Sequence, residues 1–524
     1  MRSPRWLPLS LLLVACGAGG YLLVRTASVT SEPRLKPAGT TKPQTIDDFP
    51  APTFNSGERP AVTLRTDDEA IGAGAIAGQR FIVFADQAAL ERFLAKAKGK
   101  AISVLGRMDA LNALRIGFLS ADDLASLLDG SEKKGLLFPV LVPDLPQGGV
   151  QAGAKPFGGT LISWLGVSGY DRSTWGSGVT VAVLDTGVSA LAGLRSIQQI
   201  NLIDLPSDPS TLNGHGTAVA SLILQVAPET NILSIRLADD LGSSNSWLLS
   251  QGIVQAVDSG AQIINISMGS YGDSALLREA VGYAQARGVV VVASAGNEGI
   301  GQLANPAGYP GVIASGSIEA NGDHLLFSNT GAALDVSAPG YGLYSTGING
   351  ETLSYSGTSA SAGVTTGTIA ATMSNPITGA LSATDASSAM MANLDESGPA
   401  GSDDIFGGGA LNLGRVIQRR ISGIVDAAVA SHWIDEKGML EVTVQNQGTA
   451  PIYNANVEIV TASGSTPVNV SSLTPGQTQT FTVPGPSGQA PATFQSTIRL
   501  SSGQIDIKPS NNQRIDVYTP ATAP

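Results

Sequence analysis

Apolar residues follow three different spacings along this 524-residue chain, and each spacing marks a different region. From 153 to 418, nearly continuous apolar runs (Val179 to Leu184, Asn231 to Leu237, Ile263 to Ile266, Val289 to Val292) alternate with segments at helical spacing. Examples are Trp247, Ile253 and Val257, then Leu277, Val281 and Ala284. A run apolar on both faces predicts a strand buried on both sides, and the amphipathic segments predict covering helices; the region reads as α/β with a mostly parallel sheet.

Upstream, over 61–142, the spacing predicts a strand at Arg80 to Phe84 and a helix at Gln87 to Ala97 with Ala88, Leu90, Phe93 and Leu94 on one face. Strands at Ile102 to Leu105 and Leu114 to Phe118 follow, then a helix capped by Ser120 with Asp122 and Asp123 in its first turn, and a closing strand at Leu137 to Val142. That order is a split βαβ unit, small and α+β. Downstream, over 421–518, short alternating runs at Leu440 to Val444, Ala455 to Val460, Thr478 to Val483 and Thr493 to Leu500 are separated by turn signals at Pro475-Gly476 and Pro509 to Asn512. These predict a β-sandwich.

Composition adds the joints between these regions. Residues 26–60 are rich in Pro, Thr, Ser and Lys without periodicity and read as a flexible linker, and Pro143 to Gly153 is a Pro/Gly connector. The net charge of -12 comes without a basic stripe, which excludes a nucleic-acid backbone as partner. Arg2 and Arg5 precede the apolar run Leu7 to Ala15, so residues 1–25 have the shape of a signal peptide and the chain is expected to be exported. Leu13-Val14-Ala15-Cys16 is similar to a bacterial lipoprotein signal with Cys16 as the lipidated residue; the other reading is an uncleaved membrane anchor from Leu7 to Val24. Expected locations are therefore the cell envelope or the outside. Cys16 is the single cysteine, so no internal disulfide contributes to stability.

Chemistry concentrates in three stretches. Ser359 lies in YSGTSASAG with small neighbours, and a serine hydroxyl needs a base to become a nucleophile. Of three histidines, His215 stands in NGHGTAVAS, ahead of a predicted helix, and Asp185 ends the apolar run VTVAVLDTG. Asp185 thus sits at the carboxyl end of a predicted parallel strand, where ligand groups of such sheets collect. A carboxylate, an imidazole and a hydroxyl are the parts of a hydrolytic triad.

In the order Asp, His, Ser, separated by 30 and 144 residues, the motifs VAVLDTGV, NGHGTAVAS and SGTSASA resemble those of the subtilisin-like serine proteases, the subtilases. The likeness runs from Trp164 to Val416. It implies an exported serine endopeptidase acting through an acyl-enzyme, with Asp185 orienting the imidazole, His215 as general base and then acid, and Ser359 as nucleophile. It also implies that Asn297, in SAGNEG, supplies the oxyanion donor. Ser267, Met268 and Gly269 would form one wall of the substrate cleft and Ala295 and Gly296 the other; neither wall shows an acidic residue, so a broad or apolar preference for the side chain before the cut is expected.

The same resemblance reads the 61–142 unit as a ferredoxin-like propeptide with Phe138 to Asp144 lying in the cleft, cut between Pro143 and Gly153. Separately, the stretches TVQNQGTAPIYNANVEI and SLTPGQTQTF in 421–518 resemble Ig-like or bacterial cell-adhesion-related modules. Expected partners are protein or peptide substrates, the chain's own propeptide and a membrane. No cofactor is required for the chemistry; calcium supports this fold in the family, with no site assigned. The departures are Ala360, Ser361 and Gly363, smaller than the family's residues after the nucleophile, which leave space for something else to fill. The competing reading is a catalytically impaired, peptide-binding member of the fold. An esterase would need a G-x-S-x-G elbow and the order Ser, Asp, His, which this chain lacks.

Overall fold

A computed structural model describes residues 67–142, 150–194, 197–203, 213–377, 379–486 and 491–518. The first described unit opens with the short helix α1 (Asp68–Gly72). Strand β1 (Gln79–Val83) follows, then α2 (Gln87–Ala97), which starts where the Asp86 carboxylate accepts from Ala89 N at 2.7 Å. Next come β2 (Ile102–Met108), β3 (Ala113–Phe118), α3 (Ala121–Ala125) with Ser120 as its cap, and β4 (Lys133–Gly135). The sheet is antiparallel in the order β2-β3-β1-β4, and Ile82, Leu90, Phe93, Leu114, Ile116 and Leu124 form its core. Its opposite face, through Phe81, Met108 and Ala113, joins a core containing Trp247. Gly106 makes that approach close: a Cβ there would lie 2.8 Å from Trp247 Nε1.

One expectation is corrected here. The apolar run 137–142 does not close the small sheet, because β4 does; its middle, β5 (Pro139–Leu141), leaves the unit and pairs elsewhere. The run's apolarity reflects burial of Leu137, Phe138 and Val140 against the following unit.

That unit begins with the one-turn helix α4 (Leu161–Trp164) and contains a seven-stranded parallel sheet. Its strands are β6 (Thr180–Asp185), β7 (Ile197–Asn201), β8 (Asn231–Arg236), β10 (Ile263–Ile266), β11 (Val290–Ser294), β12 (Val312–Ile318) and β13 (Val336–Pro339). Their order is β13-β12-β11-β10-β6-β8-β7, with β10 central and β6 beside it, paired to β8 and β10. The short β9 (Ser243–Asn245) precedes α6 (Ser246–Asp258), which with α7 (Ala275–Gln285) covers one face; α5 (His215–Val226) and α8 (Thr358–Ser374) cover the other. The hairpin β14 (Leu343–Thr346) and β15 (Thr352–Tyr355) leads into α8, and α9 (Ala383–Met391) and α10 (Leu413–Gln418) complete the layer.

Helix α8 is buried from Thr358 to Met373, which explains its lack of a polar stripe. The space left by small residues after Ser359 is filled by close approach. A Cβ on Gly363 would lie 3.3 Å from Val219 O, one on Gly367 would lie 2.9 Å from Ile223 O, and Ser361 Oγ is 2.8 Å from Ser317 Oγ.

The last unit has two antiparallel sheets. One is β16 (Ala427–Ile434), β17 (Met439–Asn446) and β20 (Thr478–Pro484); the other is β19 (Gly464–Leu473), β18 (Ile452–Thr461), β21 (Ala492–Arg499) and β22 (Gln513–Tyr518). Leu440, Val442, Val457, Ile459, Phe494 and Ile498 fill the space between them. It is joined to the parallel-sheet unit by polar contacts: Arg415 Nε donates to Gln447 O (3.2 Å), Ser431 Oγ to Gly398 O (2.8 Å) and Gln445 Nε2 to Leu394 O (3.3 Å).

Candidate active site

Asp185 is the last residue of β6 and is fully buried. Thr186 N donates to its Oδ1 at 2.7 Å, and His215 Nδ1 lies 2.8 and 2.9 Å from its two oxygens. A carboxylate accepts only, so His215 Nδ1–H is the donor, and in the neutral imidazole that tautomer makes Nε2 the acceptor. His215 is the first residue of α5, which follows Gly214 at φ +88. Gly216 has no side chain because none fits: a Cβ would lie 2.5 Å from Gly187 O and 3.1 Å from Asp185 Oδ1.

Ser359 is the second residue of α8, after Gly357 at φ +127, and is 2 % exposed. Its hydroxyl donates to Ser267 O at 3.3 Å, while His215 Nε2 is buried with no hydrogen-bond partner. Tyr355 meets the His215 ring edge-on, with centroids 5.8 Å apart. Burial first, and the Asp185 carboxylate after it, push the Tyr355 hydroxyl well above its ordinary range, so it stays neutral.

Asn297 follows β11. Its Oδ1 accepts from Thr358 N (2.9 Å) and Thr358 Oγ1 (2.8 Å), which orients the amide so that Nδ2 lies at 3.2 Å from where a Gly357 Cβ would be. The amide nitrogen and the start of α8 therefore share one small space. Helix N-termini favour negative charge through their free N–H groups.

The two expected walls flank this space. Ser267 and Met268, after β10, are fully buried, as is Ala295 after β11, and Gly296 adopts φ +108. Gly269 exchanges two 3.0 Å hydrogen bonds with Leu141, while β5 pairs on its other side with β9 and Val142 N donates to Gly242 O at 2.9 Å. The 139–142 segment thus lies as an extended strand between two edges. A cavity of about 400 Å³ beside it is lined by Phe138, Leu141, Gly269, Tyr271, Gly296 and Glu298, among others.

The two walls themselves carry no acidic residue, but Glu298, which directly follows Asn297, lines the neighbouring cavity. Cys16 and residues 1–25, the 26–60 linker and most of the 143–153 connector lie outside the described residues. Among the described residues no helix is long and apolar enough to cross a membrane, and no group of three or more His, Cys, Asp or Glu could hold a metal ion.

A second carboxylate–imidazole–hydroxyl line, unforeseen in the sequence, occurs in the sandwich. His432 Nδ1 lies 3.0 Å from Asp516 Oδ2, and its Nε2 is 2.8 Å from Ser496 Oγ. His432 Nδ1 nevertheless makes no hydrogen bond, so the three groups do not form a connected relay.

Residues gathered in this way at the carboxyl edge of this sheet belong to a subtilisin-like serine endopeptidase, a class that acts on proteins or peptides. Residues 176–409 match the Peptidase S8 family, the subtilase family. The chain is 38% identical over 201 residues to Subtilisin Savinase of Lederbergia lenta, covering 36% of this chain and 74% of that protein. It is 39% identical over 197 residues to Alkaline elastase YaB of Bacillus sp. (strain YaB), covering 36% and 52%, and 40% identical over 205 residues to Thermophilic serine proteinase of Bacillus sp. (strain AK1), covering 36% and 51%. A lanthipeptide protease crystal structure aligns with a TM-score of 0.42 at 25% identity, covering 46% of this chain and 87% of that one. The chain belongs to the subtilase family.

Proposed function

We propose that this chain is an exported, self-processing endopeptidase in which Asp185, His215 and Ser359 form the triad and Asn297 holds the oxyanion. Ser359 Oγ attacks the peptide carbonyl as its proton passes to His215 Nε2, and Asp185 stabilises the imidazolium. The charge on the former carbonyl oxygen is met by Asn297 Nδ2 and Ser359 N. His215 then protonates the leaving amine, and water activated by the same nitrogen releases the acyl group from Ser359. The observation that carries this reading is the Asp185–His215 contact at 2.8 Å, which holds the ring by Nδ1 and keeps Nε2, which has no partner, for the nucleophile's proton.

The extended pairing of Leu141 with Gly269 supports a substrate bound as an antiparallel strand. It equally supports the 61–142 unit as a propeptide whose end occupies the cleft, with the cut between Pro143 and Gly153. A broad or apolar preference is retained, since the Oε2 atom of Glu298 is already engaged by Asn297 N (2.9 Å) and Asn329 Nδ2 (3.0 Å). Residues 1–25 act as the export signal or anchor, with Cys16 as the lipid acceptor in the lipoprotein form.

One observation favours the impaired-enzyme reading: Ser359 donates to Ser267 O instead of His215. Hydrogen bonds between base and nucleophile often form only with substrate present, so both readings make a forecast. Expressed without residues 1–25, the chain shortens by intact mass through a cut between 143 and 153, and Ser359→Ala stays full length. Equal processing or equal peptidase activity in the two would sink the triad assignment.

A further inference from the structure

Behind the proposed oxyanion residue lies a polar cluster that the triad chemistry does not use. Asn329, fully buried, reaches both sides of Asn297. Its Oδ1 accepts from Glu298 N and Ile300 N, both at 3.1 Å, and its Nδ2 donates to Ala295 O at 3.3 Å, Glu298 Oε2 at 3.0 Å and Tyr271 OH at 2.7 Å. Glu298 Oε2 also accepts from Asn297 N at 2.9 Å and from the Tyr271 hydroxyl.

We infer that Glu298, Asn329 and Tyr271 are positioning residues for Asn297, fixing the loop that carries its amide and tying that loop to the substrate wall. The inference rests on the reading of Asn297 as oxyanion donor. An oxyanion donor is effective only when it is held in place before charge develops. Thr358 fixes the far end of the Asn297 side chain through Oδ1, whereas its backbone is held from behind by the Glu298 carboxylate. The fit is close: a Cβ on Gly296 would lie 2.2 Å from Asn329 Nδ2 and 2.9 Å from Glu298 Oε2, so the residue before Asn297 has to be glycine for the cluster to exist.

Tyr271 gives the cluster its link to substrate. It stands two residues beyond Gly269, which pairs with the strand in the cleft, and at 39% exposure it lines the cavity there. Burial, and then Glu298 beside it, push its hydroxyl above the ordinary tyrosine range, so it remains a donor. A peptide that packs on Tyr271 therefore presses on the group that holds Asn297 N.

The test is a pair of double-mutant cycles on the whole chain, with kcat and KM measured on a neutral peptide anilide. Asn297→Ala is expected to lower kcat by roughly 10²–10³-fold, the range known from subtilisin itself. Tyr271→Phe and Glu298→Gln are each expected to lower kcat by about 3–10-fold with KM within about twofold, and to add less than about twofold on the Asn297→Ala background. Full multiplication of the effects on that background overturns the positioning role while leaving Asn297 in place, as does a rise in KM at constant kcat. An unchanged kcat in Asn297→Ala overturns the oxyanion assignment and the inference with it. Tyr271→Phe removes one atom from a partly exposed side chain and keeps the test open if changes at buried Asn329 prevent folding.

Discussion

Gly216→Ala isolates the placement of His215, the proposed base. The residue is helical, so alanine brings no backbone strain and would ordinarily favour the helix by about 0.5–1 kcal/mol. The added Cβ would stand 2.5 Å from Gly187 O and 3.0 Å from Asp185 Cβ. A Cβ atom does not approach another heavy atom closer than about 3.0 Å, so the start of α5 has to move from Gly187 by at least 0.5 Å, the difference from 2.5 Å. His215 is the residue before it and moves with it. Overpacking of this kind costs about 1–3 kcal/mol, and at roughly 2–4 °C per kcal/mol the melting temperature falls by about 2–12 °C. Since a 1 Å misplacement of catalytic groups costs on the order of 10²-fold, half of that displacement lowers kcat by about 10-fold. Thermal unfolding and kcat on a fluorogenic peptide check the two parts separately. A variant with kcat within about twofold of the parent, measured well below its melting temperature, would refute the claim that this glycine sets the Asp185–His215 geometry.

Gly282→Ala is the matching control, since it lies in α7 with nothing within 4 Å of a new Cβ. It should stabilise by about 0.5–1 kcal/mol in thermal unfolding and leave kcat unchanged. Burial pushes the Glu396 carboxyl up to about 7, from 4.5, in the loop that meets the sandwich. A raised carboxyl pKa means the folded state holds the extra proton, so stability declines as pH rises from 4.5 through 7; Glu396→Gln should gain on the order of 1–3 kcal/mol at pH 8 and little at pH 4 in parallel melts. Burial acts oppositely on His324, held down to about 4, so its contribution is complete above 6.5 and is lost on acidification towards 4. Arg415 donates to Leu394 O, Asp395 Oδ1 and Gln447 O. Arg415→Ala should cost about 3–5 kcal/mol and split the calorimetric transition if the sandwich then melts separately.

Four sheet strands were legible as apolar runs because they are buried on both faces. The strand Ile197–Asn201 was not, since as the sheet's edge it alternates polar residues and reads IQQIN. Val312–Ile318 was missed as well, because its Ala, Ser and Gly suit contact with α8 and carry little hydrophobic signal. The run at 137–142 reads as a strand, but apolarity names no partner, and β4 takes the place in the small sheet expected for it. In the candidate site, motif and resemblance name Asp185, His215, Ser359 and Asn297; the structure sets Asp185 against His215, and Asn297 against Thr358 beside Ser359. Glu298, Tyr271 and Asn329 were not legible, because a hydrogen-bond cluster joining residues 271, 298 and 329 has no spacing rule in sequence.

Strand β5 has a consequence for the chain when it is not cutting anything. Adjacent strands lie about 4.8 Å apart, so without Pro139–Leu141 the edges at Ser243–Asn245 and Gly269 would face each other across a slot roughly 9.6 Å wide. Unpaired edges are templates for any extended segment, including one from a neighbouring molecule. With β5 in place both edges are paired, so neither presents a free row of N–H and C=O groups to a second molecule.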